Sequence, residues 1–207
     1  MFLGTKKFKM FKKNLIYLLL FAVVLINNSY SSEGNATVSI GNENAKVTVK
    51  VFSSLTCPHC ANFHEKIFHK LKKEFIDTNI LRFEHHGFPL DLAALNAEKI
   101  LRCSNDNEKR LSFLSEIYSK QGTWAVGNDI NKINSQLIKM AENYSLNDAK
   151  INGCLNNEKI EDEILSSRID GNKKYSITST PTILINEKKY EGTHEYEAFK
   201  KAINKFL

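Results

Sequence analysis

The sequence predicts an α/β fold in which an all-helical block interrupts the core, so that the elements run β-α-β, then helices, then β-β-α. Three observations predict it. Residues 46–86 show strand, helix and strand patterns in turn, residues 90–174 show helical periodicity without a convincing strand, and residues 182–207 show a hairpin followed by a helix. A chain of 207 residues can bury one such core with the block, but not two large independent domains.

The first half of the core begins at residues 46–52, where alternation and β-branched side chains indicate a strand. Residues 37–40 offer a small strand before it. From 61 to 75 apolar side chains recur every three or four residues, which predicts a helix with one face on a core. Residues 80–86 then form a second strand pattern that ends at Gly87 and Pro89.

The block between the two halves is predicted to hold four or five helices, with breaks at Gly122, Gly127, Gly153 and Gly171. Its large aromatic residues are expected in the core of the block rather than at a cofactor or client site; they are Phe113, Tyr118 and Trp124. Strands at 182–185 and 188–190 and a closing helix at 196–207 complete the pattern.

The N-terminal residues have the features of a secretory signal peptide. Five lysines precede the uncharged run 15–26, and small polar residues follow it. The alternative is an uncleaved membrane anchor, although a spanning helix needs about 20 apolar residues. We therefore expect a signal peptide at 1–31, the first half of the core at 32–89, an inserted helical domain at 90–174 and the second half at 175–207.

The charge of the chain excludes a nucleic-acid partner. The net charge is +6, but all five of those lysines precede the first acidic residue, Glu33, so the rest of the chain has 24 basic against 23 acidic residues. A body that is nearly neutral lacks the concentrated basic surface that phosphates require.

Four cysteines in an exported chain suggest two pairs with different roles. Cys103 and Cys154 both fall in the helical block, and we expect a structural disulfide between them. Closing the 51 residues that separate them would stabilise the fold by about 4 kcal/mol in the chain-entropy model. The alternative is a redox-regulatory pair, but neither cysteine lies in an activating turn.

The other two cysteines form the motif CPHC, residues 57–60, where a strand becomes a helix. Thiol–disulfide exchange needs an attacking thiolate, a second thiol within reach and access for another cysteine. Cys57 would face the free N–H groups of the first helical turn, which favour its thiolate, and Cys60 would resolve the mixed disulfide. Pro58 suits the first helical position, and His59 adds a cationic or hydrogen-bonding group.

Two other interpretations of CPHC are a structural disulfide and half of a zinc site. Zinc normally takes four ligands, and no second C-x-x-C or H-x-x-x-H pair follows at a suitable spacing. His85 and His86 are adjacent on a strand and point to opposite faces, so they are interpreted as a strand end. Since no Gly-rich phosphate loop or Ser/His/Asp arrangement is evident either, we expect neither a metal nor a cofactor.

CPHC together with STPT, residues 179–182, resembles the DsbA family of bacterial periplasmic disulfide oxidases, which have a thioredoxin-like core. The resemblance covers nearly the whole mature chain. It implies that Pro181 is cis and faces the redox pair, and that Thr180 can touch the attacking sulfur and line a groove for client peptide. Val51 departs from the family, because well-known relatives carry there a buried acid that helps to move the proton of the second thiol.

The resemblance also implies a function. We expect an enzyme of the periplasm that passes the Cys57–Cys60 disulfide to unfolded exported client proteins and is reoxidised by a DsbB-like membrane partner. One alternative is an isomerase or reductase of the same fold; little sequence precedes the core strand, so a dimerisation domain is not expected and a monomer is. Another alternative is a non-enzymatic peptide-binding chaperone with an inert disulfide.

Overall fold

The computed structural model describes residues 37–207; the expected signal peptide lies outside them. The strands of the described chain form one sheet in the order β1-β3-β2-β4-β5. Their bounds are β1 (Val38–Ile40), β2 (Val47–Ser53), β3 (Leu81–Gly87), β4 (Thr182–Ile185) and β5 (Lys188–Lys189). β2 and β3 run parallel, and the other neighbouring strands run antiparallel.

A helix crosses from β2 to the parallel strand β3, as a parallel pair requires. This helix, α1 (58–76), is continuous but includes two π-helical stretches, His64–Phe68 and Lys72–Ile76. Between β3 and β4 lie α2 (Leu92–Leu101), α3 (Asn107–Ser119), α4 (Gln121–Trp124), α5 (Ile130–Ala141), α6 (Asp148–Leu155) and α7 (Glu158–Tyr175), and α8 (Tyr196–Asn204) follows β5. This order confirms the predicted fold class.

The prediction of four or five helices in the block was wrong, because residues 92–175 contain six α-helices and a 3-10 turn, Glu142–Tyr144. Three of the four glycines taken as breaks lie inside helices; they are Gly122, Gly153 and Gly171. Only Gly127 lies between helices, with φ of 80°. Five of the six helices instead begin after residues whose side chains accept a backbone N–H of the first turn. These capping residues are Asp91, Asp106, Asp129, Asn147 and Asn157.

One face of the sheet packs against α1 and α8. The apolar side chains that predict α1 as a helix all lie in this core, at most 3% exposed; they are Phe63, Ile67, Phe68, Leu71 and Phe75. They meet alternate residues of β2 and β3, together with Phe199 and Ile203 of α8. Because this face of the sheet is buried, the register of β2 is fixed, and with it the position at which the chain turns from β2 into α1.

On the other face of the sheet, α7 comes very close to β2. A Cβ on Gly171 would lie 2.7 Å from the ring of Phe52, a distance that side chains do not tolerate. The Phe52 ring itself is 3% exposed and stacks on His86 with the ring centroids 4.8 Å apart. Glycine is therefore required at 171 by close packing rather than by a helix break.

A second core lies within the helical block and includes both cysteines of the CPHC motif. The three aromatic residues predicted to be core are buried there, with exposures of 1% for Phe113, 3% for Tyr118 and 1% for Trp124. Cys103 and Cys154 are joined by a disulfide bond between the end of α2 and α6. No helix within residues 37–207 is long and apolar enough to span a bilayer.

Candidate active site

The CPHC motif lies at the point where the buried end of β2 turns into α1. Cys57 is the N-cap of α1, with extended backbone dihedrals, and Pro58 occupies the first helical turn. The carbonyl oxygen of Cys57 accepts the N–H of Cys60 at 3.0 Å and that of Ala61 at 3.2 Å. These bonds close the first turn and hold the two cysteines side by side.

Both cysteines are free thiols in this structure, and they differ in exposure. Cys57 is 8% exposed and Cys60 is 1% exposed, whereas Pro58 and His59 between them are exposed. An incoming sulfur would therefore reach Cys57 before Cys60.

The surroundings of Cys57 lower its pKa to about 5. The largest cause is the hydrogen bond from the Cys60 thiol; the Thr180 side chain and the backbone N–H groups of Cys60 and His59 act in the same direction, and burial opposes them. At neutral pH the Cys57 sulfur is consequently an anion, which is the form that attacks a disulfide.

The surroundings of Cys60 have the opposite effect. Burial raises the pKa of Cys60 strongly, and the hydrogen bond to Cys57 and the negative charge of Cys57 raise it further. One sulfur of the pair is thus held as a thiolate while the other keeps its proton. This division of the protons is the state required before thiol–disulfide exchange.

Residues 179–182 approach the motif from the far end of the chain. The Thr180–Pro181 peptide bond is cis, as the resemblance implies, and the Cys57 Sγ lies 3.3 Å from the Thr180 carbonyl oxygen. The Thr180 hydroxyl is buried beside the two sulfurs and contributes to lowering the pKa of Cys57. The structure therefore brings together Cys57 and Thr180, which are 123 residues apart.

Gln121 is a site residue that no sequence motif indicates. Its side-chain amide, at the start of α4, donates to the carbonyl oxygen of Leu55 at 2.8 Å and to that of Cys57 at 3.1 Å. Thr56 is held from the same block, since its hydroxyl donates to the Asp91 carboxylate at 2.7 Å. No local sequence pattern marks these contacts, because each joins residues 35 to 66 positions apart.

A buried polar cluster that includes Tyr118 lies close to Cys60, and no sequence pattern indicated that its members meet. The His85 and Glu98 side chains, 3% and 1% exposed, are joined through Nε2 and Oε1 at 2.7 Å. The ring of Tyr118 lies 6.4 Å from that of His85, and its buried hydroxyl lies near the Ser53 side chain without a well-aligned hydrogen bond. From the sequence His85 was interpreted only as part of a strand end, although it continues the alternate buried positions of Leu81 and Phe83 in β3.

A second histidine lies near the rim of the site. Partial burial and the charge of His59 lower the pKa of His194, from the segment before α8. Within residues 37–207, no three His, Cys, Asp or Glu side chains are grouped closely enough to hold a metal ion.

The chain is similar to known proteins in both sequence and structure. A family model described as thioredoxin matches residues 33–205. A protein-disulfide oxidoreductase of Rickettsia typhi is 30% identical over 152 residues, covering 73% of this chain and 55% of the relative. Disulfide bond formation protein D of Bacillus subtilis is 29% identical over 203 residues, covering 87% of this chain and 86% of that protein.

A solved structure, that of Wolbachia pipientis α-DsbA1, superposes with a TM-score of 0.75 at 28% identity. The match covers 82% of this chain and 90% of that chain. By contrast, the chain spans only 55% to 65% of the length of the first three rickettsial relatives.

Proposed function

This chain belongs to the thioredoxin family, in its DsbA-like branch, and from that premise we propose that it is a thiol–disulfide oxidoreductase working as a disulfide oxidase. Its oxidised Cys57–Cys60 pair would donate the disulfide to cysteines of client proteins. The proposal includes the division of the chain into a signal peptide (1–31), a core (32–89 and 175–207) and an inserted helical domain (90–174).

The observation that carries the proposal is the pKa of Cys57, about 5 beside a Cys60 thiol that keeps its proton. Stabilising the Cys57 thiolate stabilises the reduced protein, because the disulfide form gains nothing from the same contacts. The disulfide is consequently easier to reduce. Its reduction potential should lie well above that of thioredoxin, about −270 mV, which favours donation of disulfides over their removal.

The transfer to a client takes two exchanges. A client thiolate attacks the Cys57 sulfur, the Cys57–Cys60 bond breaks, and Cys60 leaves as a thiolate that takes up a proton. A second client thiolate then attacks the client sulfur of the mixed disulfide, the client disulfide forms, and Cys57 leaves as a thiolate. The client loses two electrons and the protein gains them.

Reoxidation runs the exchange in the other direction, with a disulfide-bearing partner as oxidant. The Cys57 thiolate attacks the partner disulfide, and Cys60 resolves the new mixed disulfide by attacking Cys57. We propose a DsbB-like membrane protein as this partner, a periplasmic location and a monomeric enzyme. The lysine-rich apolar leader supports export.

Unfolded exported proteins are the proposed clients. Thr180 and the neighbouring Pro181 border Cys57, where an extended peptide could pair with backbone groups. Large apolar side chains near the loops that hold the motif are exposed, with values of 51% for Leu90, 56% for Leu92 and 59% for Val126. Such side chains suit apolar segments of a chain that has not yet folded.

The test is oxidation of a reduced peptide that contains two cysteines. We expect the oxidised protein to convert the peptide to its disulfide, and the Cys57→Ser variant to be inactive. The Cys103→Ala/Cys154→Ala variant, which keeps the CPHC motif, should remain active. Oxidation at the normal rate by Cys57→Ser would contradict the proposal.

A glutathione titration separates the alternatives. An oxidant pair is reduced by the glutathione couple, an inert pair in a chaperone resists it, and an isomerase rearranges a scrambled substrate faster than it oxidises a reduced one. Resistance to glutathione, or a preference for the scrambled substrate, would overturn the oxidase assignment.

A further inference from the structure

Cys60 must lose and regain a proton during the exchange reactions, and the site residues described so far provide no route for that proton. In reoxidation it must lose its proton to attack Cys57, and in client oxidation it must regain one. Yet Cys60 is 1% exposed, and burial raises its pKa strongly. A proton must therefore reach and leave this sulfur through groups inside the protein.

Tyr118 is placed to meet this demand. It is 3% exposed and shares the apolar cluster of Cys60, and burial together with the charges of Cys60, Glu98 and Cys57 raises its pKa. Its hydroxyl lies near the Ser53 side chain but makes no well-aligned hydrogen bond to the described residues, although phenylalanine would fill the same space without a buried polar atom. A buried hydroxyl without a well-aligned partner destabilises the fold, so packing does not explain it.

The ring of Tyr118 lies 6.4 Å from that of His85, which contacts a buried carboxylate. The Glu98 carboxylate, on α2, is hydrogen bonded to His85 of β3 at 2.7 Å, and Arg102 lies 3.9 Å from its other oxygen. A Cβ on Gly87 would lie 2.7 Å from the Glu98 carboxyl carbon, so glycine at this end of β3 leaves room for the carboxylate. His85 and Gly87 thus act as positioning residues for Glu98.

We propose that Tyr118 relays a proton between the Cys60 sulfur and the buried Glu98–His85 pair. The proposal rests on the proposed exchange at Cys57 and deepens it. It gives the buried hydroxyl and the buried carboxylate one shared role, at a sulfur with little contact with solvent.

The relay balances in both directions. When Cys60 closes the disulfide, its proton passes to the Tyr118 oxygen while the Tyr118 hydroxyl proton passes towards the Glu98 carboxylate. The Cys60 electron pair forms the bond to Cys57, and the partner sulfur leaves with the electrons of the broken bond. When a client opens the disulfide, Glu98 returns the proton by the same route.

Other titratable or polar groups face the relay from each neighbouring element. His64 of α1 has its ring 5.0 Å from that of Tyr118, but burial and the charges of His69 and His85 lower its pKa to about 3, so it stays neutral. Its Nε2 is already engaged with the Ser115 hydroxyl of α3 at 2.9 Å. The remaining groups are Ser53 at the end of β2, Arg102 of α2, and Cys57 and Thr180 beside Cys60.

The test follows the two exchange steps separately. Reduced protein is mixed with glutathione disulfide between pH 6 and 8, the reaction is stopped with acid, and mass spectrometry counts the Cys57–glutathione adduct and the closed Cys57–Cys60 disulfide. In Tyr118→Phe we expect adduct formation at the normal rate and closure slowed at least tenfold at pH 7. The defect should shrink as pH rises, because hydroxide can then take the Cys60 proton directly.

Three further variants test whether the effect belongs to the relay. Glu98→Gln should slow the same step, and combining it with Tyr118→Phe should slow closure no further than the stronger single change, since both act on one route. Tyr144→Phe, the same chemical change at a hydroxyl bonded to Ser112 and Glu116 elsewhere in the block, should leave closure unchanged. Tyr118→Phe should unfold at no lower urea concentration than the parent.

Closure at the parental rate in Tyr118→Phe across this pH range would overturn the relay. So would a raised Cys57 pKa in that variant, because Tyr118 would then act on the wrong sulfur. Failure of the proposed oxidase function gives a different result: the parent protein would exchange with glutathione but leave a reduced client peptide unoxidised.

Discussion

At the scale of single residues, the site depends on two sulfurs in one helical turn that hold their protons very differently. Cys57 is stabilised as an anion mainly by its neighbour, and Cys60 is kept neutral mainly by burial. The same hydrogen bond lowers one pKa and raises the other, so the pair behaves as a coupled unit. Reactivity at Cys57 therefore depends on Cys60 even before Cys60 reacts.

The Cys57 pKa makes the stability of the reduced protein depend on pH. It falls from the ordinary value of 9.0 to about 5 on folding, so between pH 5 and 9 the unfolded chain binds a proton that the folded protein does not. Relative to Cys57→Ala, the free energy of unfolding should rise across that window, with the gain complete above pH 9 and absent below pH 5. Urea unfolding of both reduced proteins at several pH values measures it.

Cys60→Ala tests the cause within the same experiment. Loss of the hydrogen bond from Cys60 should raise the pKa of Cys57, so the lower edge of the window moves to higher pH. Thr180→Val, which removes a smaller contribution, should move it less. An unchanged edge in Cys60→Ala would contradict the assigned cause.

At the scale of elements, helix α7 packs closely on the sheet, and α4 of the inserted block contacts the CPHC motif. Gln121 at the start of α4 fixes the carbonyl groups of Leu55 and Cys57, and Gly171 lets α7 pack on Phe52. The two glycines within α6 and α7 have different surroundings, since a Cβ on Gly153 would meet nothing within 4 Å. They form a matched pair for mutation.

Gly171→Ala should destabilise the protein, because the new methyl group would collide with a buried ring that stacks on His86 and has little space to move. We expect a loss of about 1–3 kcal/mol, typical of overpacking. Gly153→Ala should instead add about 0.4–1 kcal/mol, since it only restricts the unfolded chain. Urea denaturation of both variants measures the two changes in the free energy of unfolding. Equal effects would show that the close approach of α7 to Phe52 is not maintained in solution.

At the scale of the whole molecule, the disulfide between Cys103 and Cys154 ties the end of α2 to α6 within the block that also supplies Gln121, Tyr118 and Glu98 to the site. The disulfide that is expected to stabilise the fold and the side chains that reach the site thus belong to the same group of helices. The structural role of this disulfide remains a prediction.

Replacing both cysteines, as Cys103→Ala/Cys154→Ala, should lower the free energy of unfolding by about 4 kcal/mol in the chain-entropy model. The Cys57 titration should not change, because the pair is not among the main causes of its pKa. Urea unfolding and the rate of Cys57 alkylation against pH give both quantities. A shifted titration would favour the redox-regulatory alternative for this pair.

Prediction from the sequence reached the elements of the core because their signals are local. Alternation identified β2, the repeat of apolar residues identified α1, and CPHC placed two cysteines at the junction. The helix number in the block was wrong because glycine was taken as a break, although capping by Asp and Asn side chains sets where those helices begin. The two π-helical stretches of α1 gave no recognisable signal.

The sequence by itself determined the fold class, the reactive turn and the family, because periodicity, turn residues and motif spacing depend on neighbours along the chain. Only the tertiary structure decided which distant groups meet: Thr180 at Cys57, Gln121 at the motif carbonyls, and Tyr118 with Glu98 and His85 behind Cys60. His85 pairs in the sheet with Val51, the position where the family resemblance leads one to expect an acid. The physical reason is that desolvation and contacts between residues 13 to 123 positions apart exist only after packing, and these set the pKa values on which the chemistry depends.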